Sequence, residues 1–189
     1  LLENPILIDF GTTTSASPWN NVTSVSSTSR IRLYDNQGSD TGINIRISDP
    51  FGGGNANGET STTTSWDMPD SATRDSFWGN TGATFEGKNI KTAGFLVSSL
   101  NKNKKYSFTF YSSRSGVKDN RETQFTVTGK TASETVCLNS TTNKSNTVNV
   151  ENVAPTEEGT VSISVTSGPN NNNGNGFFYV NAMIITPGQ

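Results

Sequence analysis

The chain has 189 residues, of which 30% are hydrophobic and 16% charged, with a formal net charge of −2 and a pI near 5.1. A chain this long can bury a core without staples, and Ser, Thr, Asn and Gly rather than charge fill the apolar deficit, which separates it from a disordered chain. No Lys/Arg run offers a footprint for nucleic acid or anionic membrane, no apolar run approaches the roughly 20 residues of a bilayer span, and the absence of histidine removes Ser-His-Asp and Cys-His catalysis and any imidazole-based zinc site.

In chain order, the first expected strand covers residues 5–10, after an opening (Leu1-Leu2-Glu3-Asn4-Pro5) that reads as a mature or trimmed start. Residues 30–34 and 43–47 alternate cleanly, apolar on one side and arginine on the other, around Asx and Gly turn chemistry at 35–42. Residues 51–65 are polar and glycine-bearing, too long for a tight hairpin, and read as a surface loop or part of a site. Residues 68–78 accommodate one short helical turn, capped by Asp70 with Arg74 four positions on.

A short strand at 94–97 leads to the most regular stretch of the chain. Tyr106, Phe108 and Phe110 fall on one face, and Ser107, Thr109 and Tyr111 on the other. A loop carrying Arg114, Lys118, Asp119 and Arg121 joins this strand to the next, at 123–128. Strands are further expected at 134–138, 147–150, 159–166 and 177–185, with the asparagine run at 169–176 as a loop. Nine or ten short strands separated by turn signals, with no long helix, predict an all-β sandwich or barrel in one domain over residues 1–189. The polar, weakly charged composition is that of an extracellular domain, secreted or held at the cell surface, with the periplasm as an alternative. Cys137, the one cysteine, lies in a strand-like run and reads either as a small buried hydrophobe or as a reactive thiol.

Several short motifs belong together: Asp9-Phe10-Gly11, Trp19-Asn20-Asn21, residues 71–77, Ser113-Arg114, Asp119-Asn120-Arg121, Phe125-Thr126-Val127 and Asn181-Ala182-Met183-Ile184-Ile185. As a set they resemble the β-sandwich modules attached to secreted bacterial carbohydrate-active enzymes and esterases. More remotely they are similar to malectin-like domains, with their galactose-binding-like fold. The likeness runs over nearly the whole chain. It implies a jelly-roll sandwich of two antiparallel sheets, a carbohydrate-binding role, a fused or associated catalytic domain, and a structural calcium near the chain ends. Asp9, Asp35, Asp40 and Asn181 are the possible calcium ligands. Hard carboxylate and amide oxygens suit that ion, although no contiguous calcium-loop signature is present; the alternative is that these are plain turn residues.

Sugar binding needs an aromatic face for the C–H side of a pyranose and planar polar groups for its hydroxyls. Trp19 and Trp78 stand beside Asn and Gly in loop-like context, whereas Trp66 lies in a strand-like run and reads as core. The expected ligand set is Trp19, Asn20, Trp78, Tyr111, Arg114, Asp119, Asn120 and Arg121. The competing reading has the indoles as lids on the sandwich and Asp119 clamping the two arginines. A non-catalytic glycan-binding module is therefore the first expectation. A structural or adhesin-like domain docking to a partner is the second, and a glycosidase or lyase with paired carboxylates, drawn from residues such as Glu59, Asp67, Asp75, Glu86 and Glu122, is the third.

Overall fold

A computed structural model describes residues 2–189. In chain order its strands are β1 (Ile6–Phe10), β2 (Asn20–Val22), β3 (Ile31–Tyr34), β4 (Asp40–Asp49), β5 (Gly53–Asn55), β6 (Ser76–Asn80) and β7 (Ala93–Ser98). They continue with β8 (Tyr106–Tyr111), β9 (Glu122–Thr128), β10 (Glu134–Asn139), β11 (Val148–Val153), β12 (Val161–Ser167), β13 (Phe177–Val180) and β14 (Ala182–Pro187). One short helix, α1 (Asp70–Arg74), precedes β6.

The sandwich is built from a five-stranded sheet in the order β11-β8-β14-β1-β2 and a six-stranded sheet in the order β10-β9-β12-β7-β4-β3. From β7 onward the chain crosses between sheets at nearly every connection, as a jelly roll does. Two features depart from a pair of purely antiparallel sheets. The β1–β2 pair is parallel, and β13-β6-β5 form a small third sheet.

Alternation dictates the core. Phe108 and Phe110 on β8, Ile6, Ile8 and Phe10 on β1, and Met183 and Ile185 on β14 face Ile45, Phe95, Phe125 and Ile163 of the six-stranded sheet in one buried cluster. Two ring pairs tie the sheets together: Phe110 stacks on Phe125 with centroids 4.3 Å apart, and Phe10 on Phe95 at 4.7 Å. Such pairs add about 1 kcal/mol each beyond the area they bury.

The structure revises several expectations. β8 and β9, consecutive strands of the sequence reading, lie in different sheets, so the loop between them crosses from one sheet to the other. The apolar run 177–185 is two strands, because Asn181 steps the chain from the third sheet to the first. Its buried side chain accepts from Ser113 N at 2.8 Å and donates to Thr73 O at 2.7 Å. Asp70 does not cap α1; Pro69 holds that position, and the Asp70 carboxylate accepts from Ser61 N at 2.7 Å. The stretch 51–65 contains β5, and the β6 tryptophan lies against Gly52 just before it and Gly53 at its start, where a Cβ would sit 2.3 Å and 2.9 Å from the Trp78 ring.

The outer face of the five-stranded sheet positions the site. Leu7, Tyr111, Ala182 and Ile184 point outward yet are buried, under a lid of Trp19, Met68 and Ala72 with Trp66 packed against it. The lid consists of the β1–β2 connection and the segment running from Trp66 into α1.

Candidate functional site

Between Trp19 and Trp66 lies a hollow of about 530 Å³. Leu7 forms part of its lining, the Ala16-Ser17-Pro18 turn and Pro69 form others, and Asn36, Asp67 and Ser71 bring polar groups to it. Trp19 is nearly buried at 9% exposure, whereas Trp66 is half-buried and keeps part of its indole open. The Trp66 backbone is held by Thr64 Oγ1, which donates to Trp66 O at 2.7 Å. Among the described residues, no side-chain hydrogen bond or ion pair engages the Asp67 carboxylate. The hollow thus sets indole surface beside polar groups, of which Asp67 is unengaged, while Ser71 is bonded to Ser15 and Asn36 Oδ1 accepts from Gln37 Nε2 at 3.3 Å.

A hydrogen-bond chain leads inward from it. The Ser71 hydroxyl is 2.7 Å from the Ser15 hydroxyl, which donates to Asp9 Oδ2 at 2.6 Å. Asp9 is 1% exposed, and its other oxygen, Oδ1, has no partner among the described residues. Burial pushes its carboxyl up to about 7, against the Ser15 hydrogen bond and with help from the Asp75 carboxylate. Asp75 is raised in the same direction, again chiefly by burial. Both acids lie beneath the surface, so neither faces a substrate.

Of the residues the sequence singled out for ligand contact, the structure brings Trp19 to this hollow and puts Tyr111 in the apolar cluster below it. Tyr111 is fully buried, donates its hydroxyl to Asn143 O at 2.7 Å, and is pushed up to about 12 by burial. Asn20 is a staple: its amide donates to Leu7 O at 3.0 Å and Tyr34 O at 2.8 Å and accepts from Tyr34 N at 2.9 Å. Trp78 is 5% exposed on β6, covered edge-on by Phe85 and Phe177.

Arg114, Asp119, Asn120 and Arg121 form a separate rim beside Tyr179 and the asparagine loop. Arg121 Nη1 donates to Tyr179 Oη at 2.7 Å, its Nε to Asp119 Oδ1 at 3.1 Å, and its guanidinium lies 5.6 Å from the Phe177 ring centre. Asp119 also accepts from Asn173 Nδ2 at 2.5 Å. Burial works against its charged form, yet the Asn173 and Arg121 hydrogen bonds hold it below the usual carboxylate range. Asn120 Oδ1 accepts from Glu122 N, and Asn120 N donates to Asn172 Oδ1. Arg114 Nη1 donates to Ser115 O, while its buried Nε has no partner among the described residues. The clamp by Asp119 is realised on Arg121 alone.

The four possible calcium ligands do not converge on one ion. Asp35 Oδ1 accepts from Gln37 N and Ser39 N, each at 2.9 Å, and its Oδ2 from Asn4. Asp40 is exposed and paired with Arg32 at 2.7 Å. The Asn181 amide oxygen already accepts from Ser113 N. Only Asp9 keeps an unused oxygen, and among the described residues no three His, Cys, Asp or Glu side chains gather as a metal-binding group. As a set these residues do not fit a shared calcium. Cys137 is half-buried, its thiol raised by burial. Among the described residues no helix is long and apolar enough to cross a membrane.

The sequence reading weighed Trp66 as core and Asp67 only as one of several possible paired carboxylates, and did not single out Asn36; the structure lines the hollow with all three. The available signal was Ser65-Trp66-Asp67 ahead of Pro69, a loop-like context comparable to Pro18-Trp19-Asn20; the preceding threonine run disguised it as a strand.

No family model and no curated protein matches the sequence. Among solved structures, TmCBM61 in complex with beta-1,4-galactotriose is similar: it is 14% identical, covering 74% of this chain and 86% of that chain, with a TM-score of 0.35. The sandwich rests on the strand order and shared core of this chain, and a likeness at that TM-score adds nothing about the site.

Proposed function

We propose that this chain is a non-catalytic glycan-binding module whose ligand sits in the hollow between Trp19 and Trp66. The observation that carries the reading is the half-open Trp66 indole set within reach of polar groups on a rigid sheet face. Trp66 covers the apolar side of a pyranose, and Asn36, Asp67 and Ser71 bond its hydroxyls. The module would work outside the cell, where glycans are displayed, beside a catalytic domain that it brings to its substrate.

The test is a glycan array followed by titration calorimetry on the purified chain and on Trp66→Ala. Binding to a defined glycan family by the parent, lost in Trp66→Ala while the melting transition stays cooperative, is the expected result. Silence across the array, or a Trp66→Ala variant that binds undiminished, overturns it.

A further inference from the structure

A second hollow, of about 250 Å³, opens on the other side of Trp66, so this one indole lines both. The second hollow lies over strands rather than loops: Ser107 and Thr109 of β8, Asn149 and Glu151 of β11, and Thr186 of β14. The two are joined by the sheet itself. Leu7 of the first hollow is registered with Ile184, Ile184 with Thr109, and Thr109 with Asn149 of the second. That row crosses three strand spacings, about 14 Å at ~4.8 Å each, and Trp66 packs against the apolar cluster to which its Leu7 and Ile184 belong. Strand β11 ends this tract in a bulge, where Asn152 adopts φ 58° and its N–H is held by the Ser107 hydroxyl at 3.1 Å.

Charge narrows the ligand. Each hollow has one acidic side chain, Asp67 in the first and Glu151 in the second, and neither is lined by a lysine or arginine. Among the described residues, no side-chain hydrogen bond or ion pair engages Asn149 or Glu151 either. Lys104 and Lys105 line a third hollow, which shares Pro187 with the second. A uronate or sulfate placed over the Trp66 tract would meet carboxylates with no counter-charge.

Resting on the glycan-binding reading, we infer that the ligand is an uncharged oligosaccharide chain laid across both hollows over Trp66, with Asn149 and Glu151 forming its second subsite. A chain of this kind gains contacts with each added sugar until both hollows are filled. A binder of terminal sugars would not.

The experiment is calorimetry with neutral gluco-, xylo-, manno- and galacto-oligosaccharide ladders from one to six units, alongside oligogalacturonates of the same lengths. In one neutral series the hexasaccharide is expected to bind about tenfold or more tighter than the disaccharide, the uronates are expected to bind far more weakly, and Asn149→Ala and Glu151→Ala are expected to flatten the length dependence. A flat series in the parent, or a steep one that survives both substitutions, overturns the second subsite and leaves the Trp19–Trp66 hollow standing. Oligogalacturonates bound as tightly as the neutral series overturn the charge selection. No binding at any length overturns both this inference and the reading beneath it.

Discussion

The Trp66 face and the Arg121 rim carry similar residues and reach opposite ends. Both combine aromatic rings, carboxylates and amides near the surface. On the rim, Arg121 is shared between Asp119, Tyr179 and the Phe177 ring, and the Asp119 carboxylate is divided between Arg121 and Asn173. Around Arg121 the rim is a network bonded among its own members, while the buried Arg114 Nε beside it has no partner among the described residues. On the Trp66 face, the side chains of Asp67, Asn149 and Glu151 line the hollows beside a half-buried Trp66 and have no side-chain hydrogen bond or ion pair among the described residues. The two regions share residue types and differ in how many of their side-chain polar groups the protein itself engages.

The interior end of the Trp66 face sets the largest expected effect. Asp9 terminates the Ser71–Ser15 chain with a carboxyl raised from 3.8 to about 7. The folded state therefore keeps a proton that the unfolded chain loses, so this group weakens stability as pH rises from about 4 to about 7 and costs its full amount above that. At 1.36 kcal/mol per unit the ceiling is about 4 kcal/mol, with Asp75 acting in the same direction. Glu157, lowered to about 2 by Lys130 and Lys102, and Asp119 pull the opposite way. The informative quantity is accordingly the difference between parent and Asp9→Asn. In EDTA, the variant should be the more stable at pH 8, and its advantage should vanish near pH 4. An advantage independent of pH would mean that Asp9 is not protonated in the folded protein.

The next effect separates the two regions directly. Arg121→Ala should lower unfolding free energy by about 3 kcal/mol in denaturant titration, because it strands a Tyr179 hydroxyl that is 1% exposed and leaves Asp119 without its cation. It should leave glycan affinity unchanged. Trp66→Ala should do the reverse, costing about 2 kcal/mol of binding, roughly 30-fold, from lost apolar contact with the sugar, with a smaller loss of stability. If Arg121→Ala abolished binding in a protein that still melted cooperatively, the rim would be the site and the comparison would be inverted.

These regions also show what was legible in the sequence. The alternation in Tyr106–Tyr111 and Val161–Ser167 reports which side chains face inward, and it was read correctly. Period 2 carries no information about which strand lies alongside: β8 and β9 follow one another in the chain yet occupy opposite sheets. The run ending in Ile185 is apolar on both faces because it passes through two sheets, and only the buried polar bonds of Asn181 reveal the break. Trp66 and Trp78 differ in burial from what their local sequence context suggests, for a related reason. Trp78 is covered by Phe85 and Phe177 and lies against Gly52 and Gly53. Trp66 stays open because the segment around it lies over the outer face of a sheet. Both outcomes depend on partners distant in the chain.

The smallest predicted effect concerns the calcium expectation, and it sharpens the same distinction between engaged and free groups. Asp40 is exposed and its carboxylate is held low by the Arg32 hydrogen bond. Exposed pairs of this kind contribute little. Asp40→Ala should therefore shift the melting temperature by no more than the error of the measurement, and the shift should be the same with calcium and with EDTA. Were Asp40 a ligand shared with Asp9, the substitution would reproduce the effect of chelation and abolish any further response to EDTA. A calcium response that persists unchanged in Asp40→Ala would instead direct attention to Asp9, whose Oδ1 has no partner among the described residues.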